Sequence, residues 1–398
     1  MKIFAQHGYG PKDKLEIGLK DRIIDGVIFS PRYWKPARMK IEVAKYKEYG
    51  GFLAMDPEFY ASSFISHPSP NLGALEDWDY FQRPKKADLM TGNAIPGLLE
   101  SSFDAQLETG FTNLIAPSVY IEHADSVDTA ISVNFLNRAK EIASEKGDYP
   151  VYGTLAFHRD ALLDGKAFRE LMDSLTGLSN SPDGYYLIIG SNEQASTGRY
   201  IRSDLSQSEV IASWMYANYV LSINGMEVIN GYSFLLGPLL GACGATAAAN
   251  GWSSGLRKYC QGKYVKTSGG GSAPNSRYVC NSLMAHILQT DLDNFKAIEP
   301  SVVNGLPIDA IYESGEPSRT MEGLQAWEAL KAQSDVTSFE GGDIGEQLGE
   351  FSEKVTESIK LWKQLRLRGL ANEAEQNVER LKAIRNGIIL FREMAELP

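Results

Sequence analysis

Residues 151–190 read VYGTLAFHRDALLDGKAFRELMDSLTGLSNSPDGYYLIIG. Two short runs rich in apolar and aromatic residues, Val151–Phe157 and Tyr185–Gly190, flank a stretch, Gly165–Leu175, whose apolar residues fall at helical spacing. Strands that are apolar nearly throughout, rather than alternating, suit a sheet buried on both faces, and a helical crossover makes the strand pair parallel. This is one β/α unit.

The unit recurs on both sides. Upstream strand candidates are Lys2–His7, Ile24–Ser30, Gly51–Asp56 and Asn113–Pro117; downstream are Glu227–Ser233 and Ala245–Trp252. Helical spacing fills the gaps at Asp13–Asp21, Ala37–Tyr49, Gly97–Thr109, Ser126–Glu145, Asp204–Ile223 and, briefly, Leu235–Cys243, with a last helix expected from near Cys280. Eight units in a row, with no GxGxxG after the first strand, predict an α/β protein built as a (β/α)8 TIM-type barrel rather than a doubly wound sheet. The eighth strand is Ala-rich, with a helix as its alternative reading.

The barrel is expected to span 1–295, with long loops after strands 3 and 8. Pro300, Pro307 and Pro317 mark a connector over 296–319. Residues 320–398 are expected to form an appended helical C-terminal region. There, Val378, Leu381, Ile384, Ile388 and Leu390 recur at i, i+3/i+4 spacing, and a helix pair would bury them against each other or the barrel. The outer faces of these helices read as solvated surface, or as a surface for a protein partner.

The chain has 398 residues, a net charge of −11 and only 3 Cys. That balance excludes collagenous, disordered and disulfide-scaffold classes. Sparse cysteine suggests a reducing compartment, and neither a bilayer-spanning run nor a signal-type apolar segment is evident, so a soluble, cytoplasmic protein is expected.

Barrel enzymes place chemistry at the C-terminal strand ends and the loops that follow. That rule selects His7, Arg32, Asp56, His158, Asn192, Tyr232, Asn250 and Trp252. Asp56, in Met-Asp-Pro, is the candidate general base or nucleophile, with Glu58 and Glu193 as candidate second carboxylates; a turn-capping aspartate is the bland alternative. His7 and His158 are candidate acid/base groups. Arg32 reads as an anion fork or as a partner for Asp56. The loop from about Pro57 to Pro96 is a lid or binding loop, or an ordered excursion covering the barrel or an oligomer interface.

Between Glu227 and Asp291 there is no Asp or Glu, where the chain's average of acids would place about eight. Arg257, Lys258, Lys263, Lys266, Arg277 and His286 lie in that stretch, with Trp252, Tyr259, Tyr264 and Tyr278 between them. Gly251, Ser253, Ser254 and Gly255 would suit a phosphate cradle after strand 8, with Arg257 and Lys258 beside it. Cys260, Cys280 and His286 lack the close pair that a zinc site needs, so neither metal nor cofactor is expected. The acidic chain as a whole disfavours broad nucleic-acid binding and leaves only the local basic stretch for it.

The segments Ser30-Pro31-Arg32, Met55-Asp56-Pro57, Asp183–Tyr186, Asn230–Tyr232 and Asn250–Trp252 resemble a group of bacterial (β/α)8-barrel proteins of unassigned activity, which supports the fold. The position of 256–290 after the last strands is similar to the Cys/His-bearing insertion of tRNA-guanine transglycosylases. That resemblance implies base exchange as an alternative activity, although neither a DSGG-type strand nor a CxCxxC cluster is present. The expectation is therefore a barrel enzyme of the hydrolase or glycosyl/nucleobase-transferase type, acting on a phosphate-bearing or nucleotide-like substrate. The alternative is a non-catalytic barrel subunit of a larger assembly, docked through its C-terminal helices.

Overall fold

The computed structural model describes residues 1–9, 13–192, 205–266, 275–312, 317–335, 343–367 and 371–397. Eight parallel strands form the barrel: β1 (Lys2–His7), β2 (Gly26–Phe29), β3 (Phe52–Met55), β4 (Leu114–Ala116), β5 (Val151–His158), β6 (Gly184–Ser191), β7 (Glu227–Gly231) and β8 (Ala247–Asn250). The ladder runs β3-β2-β1-β8-β7-β6-β5-β4. At the seam between β3 and β4 the Asn113 amide donates to the Leu53 carbonyl at 3.2 Å, a side chain standing in for a ladder bond. The chain is thus a nearly closed (β/α)8 barrel of TIM type with appended C-terminal helices. Among the described residues no helix is long and apolar enough to cross a membrane.

The Ala-rich eighth element is a strand, paired with β1 on one side and β7 on the other. Its small side chains let the following layer come close: a Cβ added to Gly237 would sit 2.9 Å from Ala248 Cβ.

The segment after β8 corrects the expected order. Instead of a helix from Cys280, Arg277–Cys280 and Ala285–Leu288 pair as an antiparallel hairpin, and the helix Gln289–Ile298 follows. The barrel's eighth helix comes later still, at Arg319–Asp335. It packs between Asp13–Lys20 and Gly237–Ala242 and beside β1. Thr320 Oγ1 donates to Asp13 at 2.6 Å, Lys331 pairs with Asp25 at 2.8 Å, and Trp327 Nε1 donates to the Asn250 carbonyl at 2.7 Å. A helix assigned by sequence to the C-terminal region therefore belongs to the barrel wall, displaced along the chain by the hairpin excursion.

The helices Ile344–Leu367 and Ala371–Met394 pack on each other, and the second lies on Ser208–Ile223. That barrel helix is apolar on nearly every face: Val210, Ile211, Trp214, Met215, Ala217 and Leu221 are all buried. A helix apolar all round needs a second cover beyond the sheet. Val378, Leu381, Ile384, Ile388 and Phe391 help supply it, each contributing roughly 1.5–3 kcal/mol by burial. At Gly387 the helices approach so closely that a Cβ would stand 2.8 Å from Ile211.

The long segment after β3 is ordered. It forms two 3-10 stretches, Phe59–Ser66 and Gly73–Asp77, and buries Leu72, Leu75, Trp78, Tyr80 and Phe81. It meets the segment after β8 at an antiparallel bridge between Pro70 and Val265, with Asn71 N donating to Tyr264 O at 2.7 Å and Lys266 N to Ser69 O at 3.0 Å. These two excursions join at the C-terminal end of the barrel.

Candidate functional site

Strand pleating decides which residue at each strand end reaches the interior. In β1, Phe4 and Gln6 face inward; His7 shares the outward face with its register partner Phe29 and contacts that ring and Trp34. In β3 the alternation puts Asp56 inside, and in β6 it puts Tyr186 inside. In β7, Asn230 points out to Trp214 and Asn218 on the covering helix. Glycines on neighbouring strands make room for the large inward rings. A Cβ on Gly231 would meet the Tyr186 hydroxyl at 2.7 Å, and one on Gly190 would overlap the Tyr120 hydroxyl at 2.0 Å.

Around Asp56 the structure gathers a closed polar cluster. Its carboxyl has no exposed surface. It accepts from Tyr60 OH at 2.7 Å, from Tyr186 OH at 3.2 Å and from Glu58 N at 3.0 Å. Burial first, and then the Glu58 charge, push the Asp56 carboxyl up to about 7. Glu58, equally buried, accepts from Tyr264 OH at 2.6 Å and from the Ser30 hydroxyl, and its carboxylate lies 3.7 Å from Lys263 Nζ.

Lys263 sits over the rings of Tyr232, Tyr259 and Tyr264, 4.9 Å from each centroid, and donates to Tyr232 OH at 3.2 Å. Burial lowers its ammonium below the ordinary lysine range, opposed by Glu58 and Asp56. Tyr60, Tyr186, Tyr232, Tyr259 and Tyr264 are all driven well above the usual phenol range by burial, so each keeps its proton. The Tyr259 hydroxyl is buried, with no hydrogen-bond partner among the described residues. Two residues of this cluster hold left-handed backbone, Glu58 at φ 49° and Tyr232 at φ 57°, conformations that bulky side chains adopt only under constraint.

His158 lies at the rim, half-buried, on the inward face of β5. It is 2.6 Å from Asn192 Oδ1 and edge-on to Tyr120, whose ring in turn packs on Tyr259. Asp56, His158, Asn192 and Tyr232 are therefore brought to one end of the barrel. Glu193 lies outside the described residues.

Other sequence candidates fall elsewhere. His7 is turned away from Asp56 by pleat parity. Asn250 shares the outward face with Ala5; its Oδ1 accepts from Phe234 N and its carbonyl from Trp327. Trp252 is buried with its Nε1 on the Tyr9 carbonyl and Lys14 over its ring. Arg32 bonds neither Asp56 nor an open anion site. Its guanidinium donates to Asn71 O, Lys263 O and Tyr33 OH at 3.0, 2.8 and 2.7 Å, clasping the two excursions together.

The expected phosphate cradle is filled by the protein. Gly251 N donates to Leu256 O at 2.8 Å, and a Cβ on Gly251 would stand 2.1 Å from Leu256 Cβ. Ser253 is buried and Gly255 faces open space; the Ser254 side chain lies outside the described part of the structure. Arg257, expected beside that cradle, is buried. It pairs with Glu322 at 3.4 Å, donates to Gly251 O at 3.1 Å and lies 2.9 Å from His286 Nε2. The acid that neutralises it comes from the eighth helix, distant in sequence. Burial, reinforced by Arg257 and Arg277, lowers His286 far below the usual imidazole range, so it is neutral and accepts. Lys258 is half-buried.

Cys260 and Cys280 are both buried, and burial pushes the Cys280 thiol up to about 11. Among the described residues no group of three or more His, Cys, Asp or Glu is placed to hold a metal ion.

The site residues that sequence reasoning passed over are Gln6, Tyr60 and Tyr186. Pleat parity, counted back from Asp56, singles out Gln6 and Tyr186 once the strand register is known. Lys263, Tyr259 and Tyr264 were visible as an acid-free, aromatic-rich stretch, but not as neighbours of Asp56.

Fold and cluster together define a TIM-type barrel with a buried carboxyl–tyrosine–lysine site at its C-terminal end. No protein-family model matches the chain, and no curated protein matches it. Among solved structures it is similar to a malate synthase of Haloferax volcanii in its lead(II) complex. The identity is 9%, the coverage 95% of this chain and 98% of that one, and the TM-score 0.32. A likeness at that level carries no chemistry across.

Proposed function

We propose that the protein is a barrel enzyme of the hydrolase or glycosyl/nucleobase-transferase type, acting on a nucleoside- or nucleotide-like substrate. One observation carries this reading. Asp56 and Glu58, separated by a single residue and both fully buried, share one cluster: burial and the Glu58 charge raise Asp56 to about 7, and Lys263 Nζ stands 3.7 Å from the Glu58 carboxylate. A buried carboxyl raised to about 7, with a second buried carboxyl beside a lysine, supplies an acid/base group poised near neutral pH and a neighbour to work with it, the kind of pair that glycosidic-bond chemistry uses. The surrounding tyrosines offer flat faces and neutral donors for a ring-shaped substrate. His158 with Asn192 stands at the rim, where a leaving group would exit. The phosphate part of the substrate keeps less support, because Arg257 and the Gly251 amide are already engaged. Substrate reaches Asp56 only when the excursions clasped by Arg32 separate.

The test is release of free base or sugar from a panel of nucleosides, nucleotides and aryl glycosides, with Asp56→Asn as control. Turnover that Asp56→Asn cuts by at least about 100-fold supports the reading. No turnover on any member, and no small molecule released from the purified protein on denaturation, sinks it.

The full burial of Asp56 and Glu58 among protein donors favours a second reading, a non-catalytic barrel subunit docked through its C-terminal helices. In that case the cluster is a structural polar core, and the protein purifies bound to a partner that charge reversals on the exposed faces of the C-terminal helices release.

A further inference from the structure

Gln6 joins the two halves of the candidate site. Tyr186 OH lies 3.2 Å from Gln6 Oε1 and also 3.2 Å from Asp56 Oδ2, yet a phenol has one proton and can serve only one of them. On its other side Gln6 Nε2 lies 3.2 Å from Tyr232 OH, which is itself 3.2 Å from Lys263 Nζ. The chain Asp56–Tyr186–Gln6–Tyr232–Lys263 therefore has two complete hydrogen-bond arrangements.

With the Gln6 carbonyl toward Tyr186, that phenol donates to Gln6, and Asp56 completes the chain by carrying a proton and donating it to Tyr186. Gln6 Nε2 then donates to Tyr232, and Tyr232 donates to an uncharged Lys263. With the amide turned over, Gln6 donates to Tyr186 and Tyr186 donates to an ionised Asp56. Tyr232 donates to Gln6, and a charged Lys263 donates to Tyr232. The two arrangements differ by one proton, carried by Asp56 in the first and by Lys263 in the second, so the total charge is unchanged.

We propose that Gln6 is a positioning residue whose amide orientation sets whether Asp56 stands as an acid or as a base. Its use in turnover rests on the reading of Asp56 as the working carboxyl, but the protonation itself does not. The groups facing Asp56 are Glu58 and Tyr60 from its own loop, Tyr186 from β6 and Lys263 from the excursion after β8.

The test is a pH-difference infrared titration of the full chain without substrate. The Asp56 carboxyl band is assigned by its loss in Asp56→Asn. In Gln6→Met the Tyr186 proton has only Asp56 as acceptor, so the Asp56 midpoint falls by about one pH unit, the worth of one hydrogen bond to a charged group. In Tyr186→Phe the carboxylate loses a donor and the midpoint rises by a similar amount. Either variant decides by its sign: an unchanged or raised midpoint in Gln6→Met, or an unchanged or lowered one in Tyr186→Phe, overturns the proposal. Shifts of the expected signs in a protein that turns over no substrate leave this inference standing and remove the proposed activity instead.

Discussion

Replacing Asp56 by Asn converts its titration into a measurable stability difference. The folded carboxyl titrates near 7, against the ordinary 3.8. Between those values the unfolded chain has lost the proton while the folded chain keeps it, so the folded state binds more protons and stability falls as pH rises. The group's contribution is fully present below about pH 4 and is gone above about pH 7. Integrated over that window the loss is about 4 kcal/mol, at about 1.4 kcal/mol per unit. Asn is the neutral isostere: its carbonyl can accept from Glu58 N while its amide donates to the Tyr186 oxygen, as the protonated acid would. Asp56→Asn should therefore match the wild type at pH 4 and exceed it at pH 8. For a chain of this length the unfolding entropy is roughly 0.8 kcal/mol/K, so the Tm gain at pH 8 is about 5 °C. Thermal unfolding of both proteins from pH 4 to 8.5 gives the curve, and taking the difference cancels the other titrating groups. A difference that stays flat, or grows toward acid pH, would falsify the assignment of a raised carboxyl at Asp56.

Three further outcomes follow from the same geometry. Lys263→Met leaves Glu58 buried without its cation and should destabilise by about 3–5 kcal/mol, with much of that recovered when Glu58→Gln is added; denaturant unfolding of single and double variants checks it. Arg257→Ala should cost well over 2 kcal/mol rather than the small amount of a surface change, because Glu322 loses a buried partner; a midpoint unchanged in urea would contradict its burial. Gly190→Ala forces the Tyr120 hydroxyl out of its place and should destabilise by about 1–3 kcal/mol, with changed tyrosine fluorescence or near-ultraviolet dichroism reporting the moved ring.

What the sequence determined by itself was the barrel. Continuous apolar runs such as Tyr185–Gly190, alternating with amphipathic stretches such as Gly165–Leu175, leave few ways to bury both faces of a parallel sheet, and that information is local. Asp56 was legible for the same reason: it ends an apolar run and precedes a proline. The rest depended on long-range placement. Sequence spacing could not show that a hairpin separates β8 from its helix, because the eighth helix is recognised only by packing against Asp13–Lys20 and β1. It could not show that Glu322, on that helix, neutralises Arg257, so a cation read as flanking a phosphate cradle became half of a buried ion pair. It could not place Lys263 against Glu58, or choose Gln6 over its neighbour His7. Pleat parity reverses with a one-residue change of register, and register is set by strands paired across the whole barrel. Local periodicity is written in the chain; charge pairing and the inward face of each strand are decided only when distant segments close on one another.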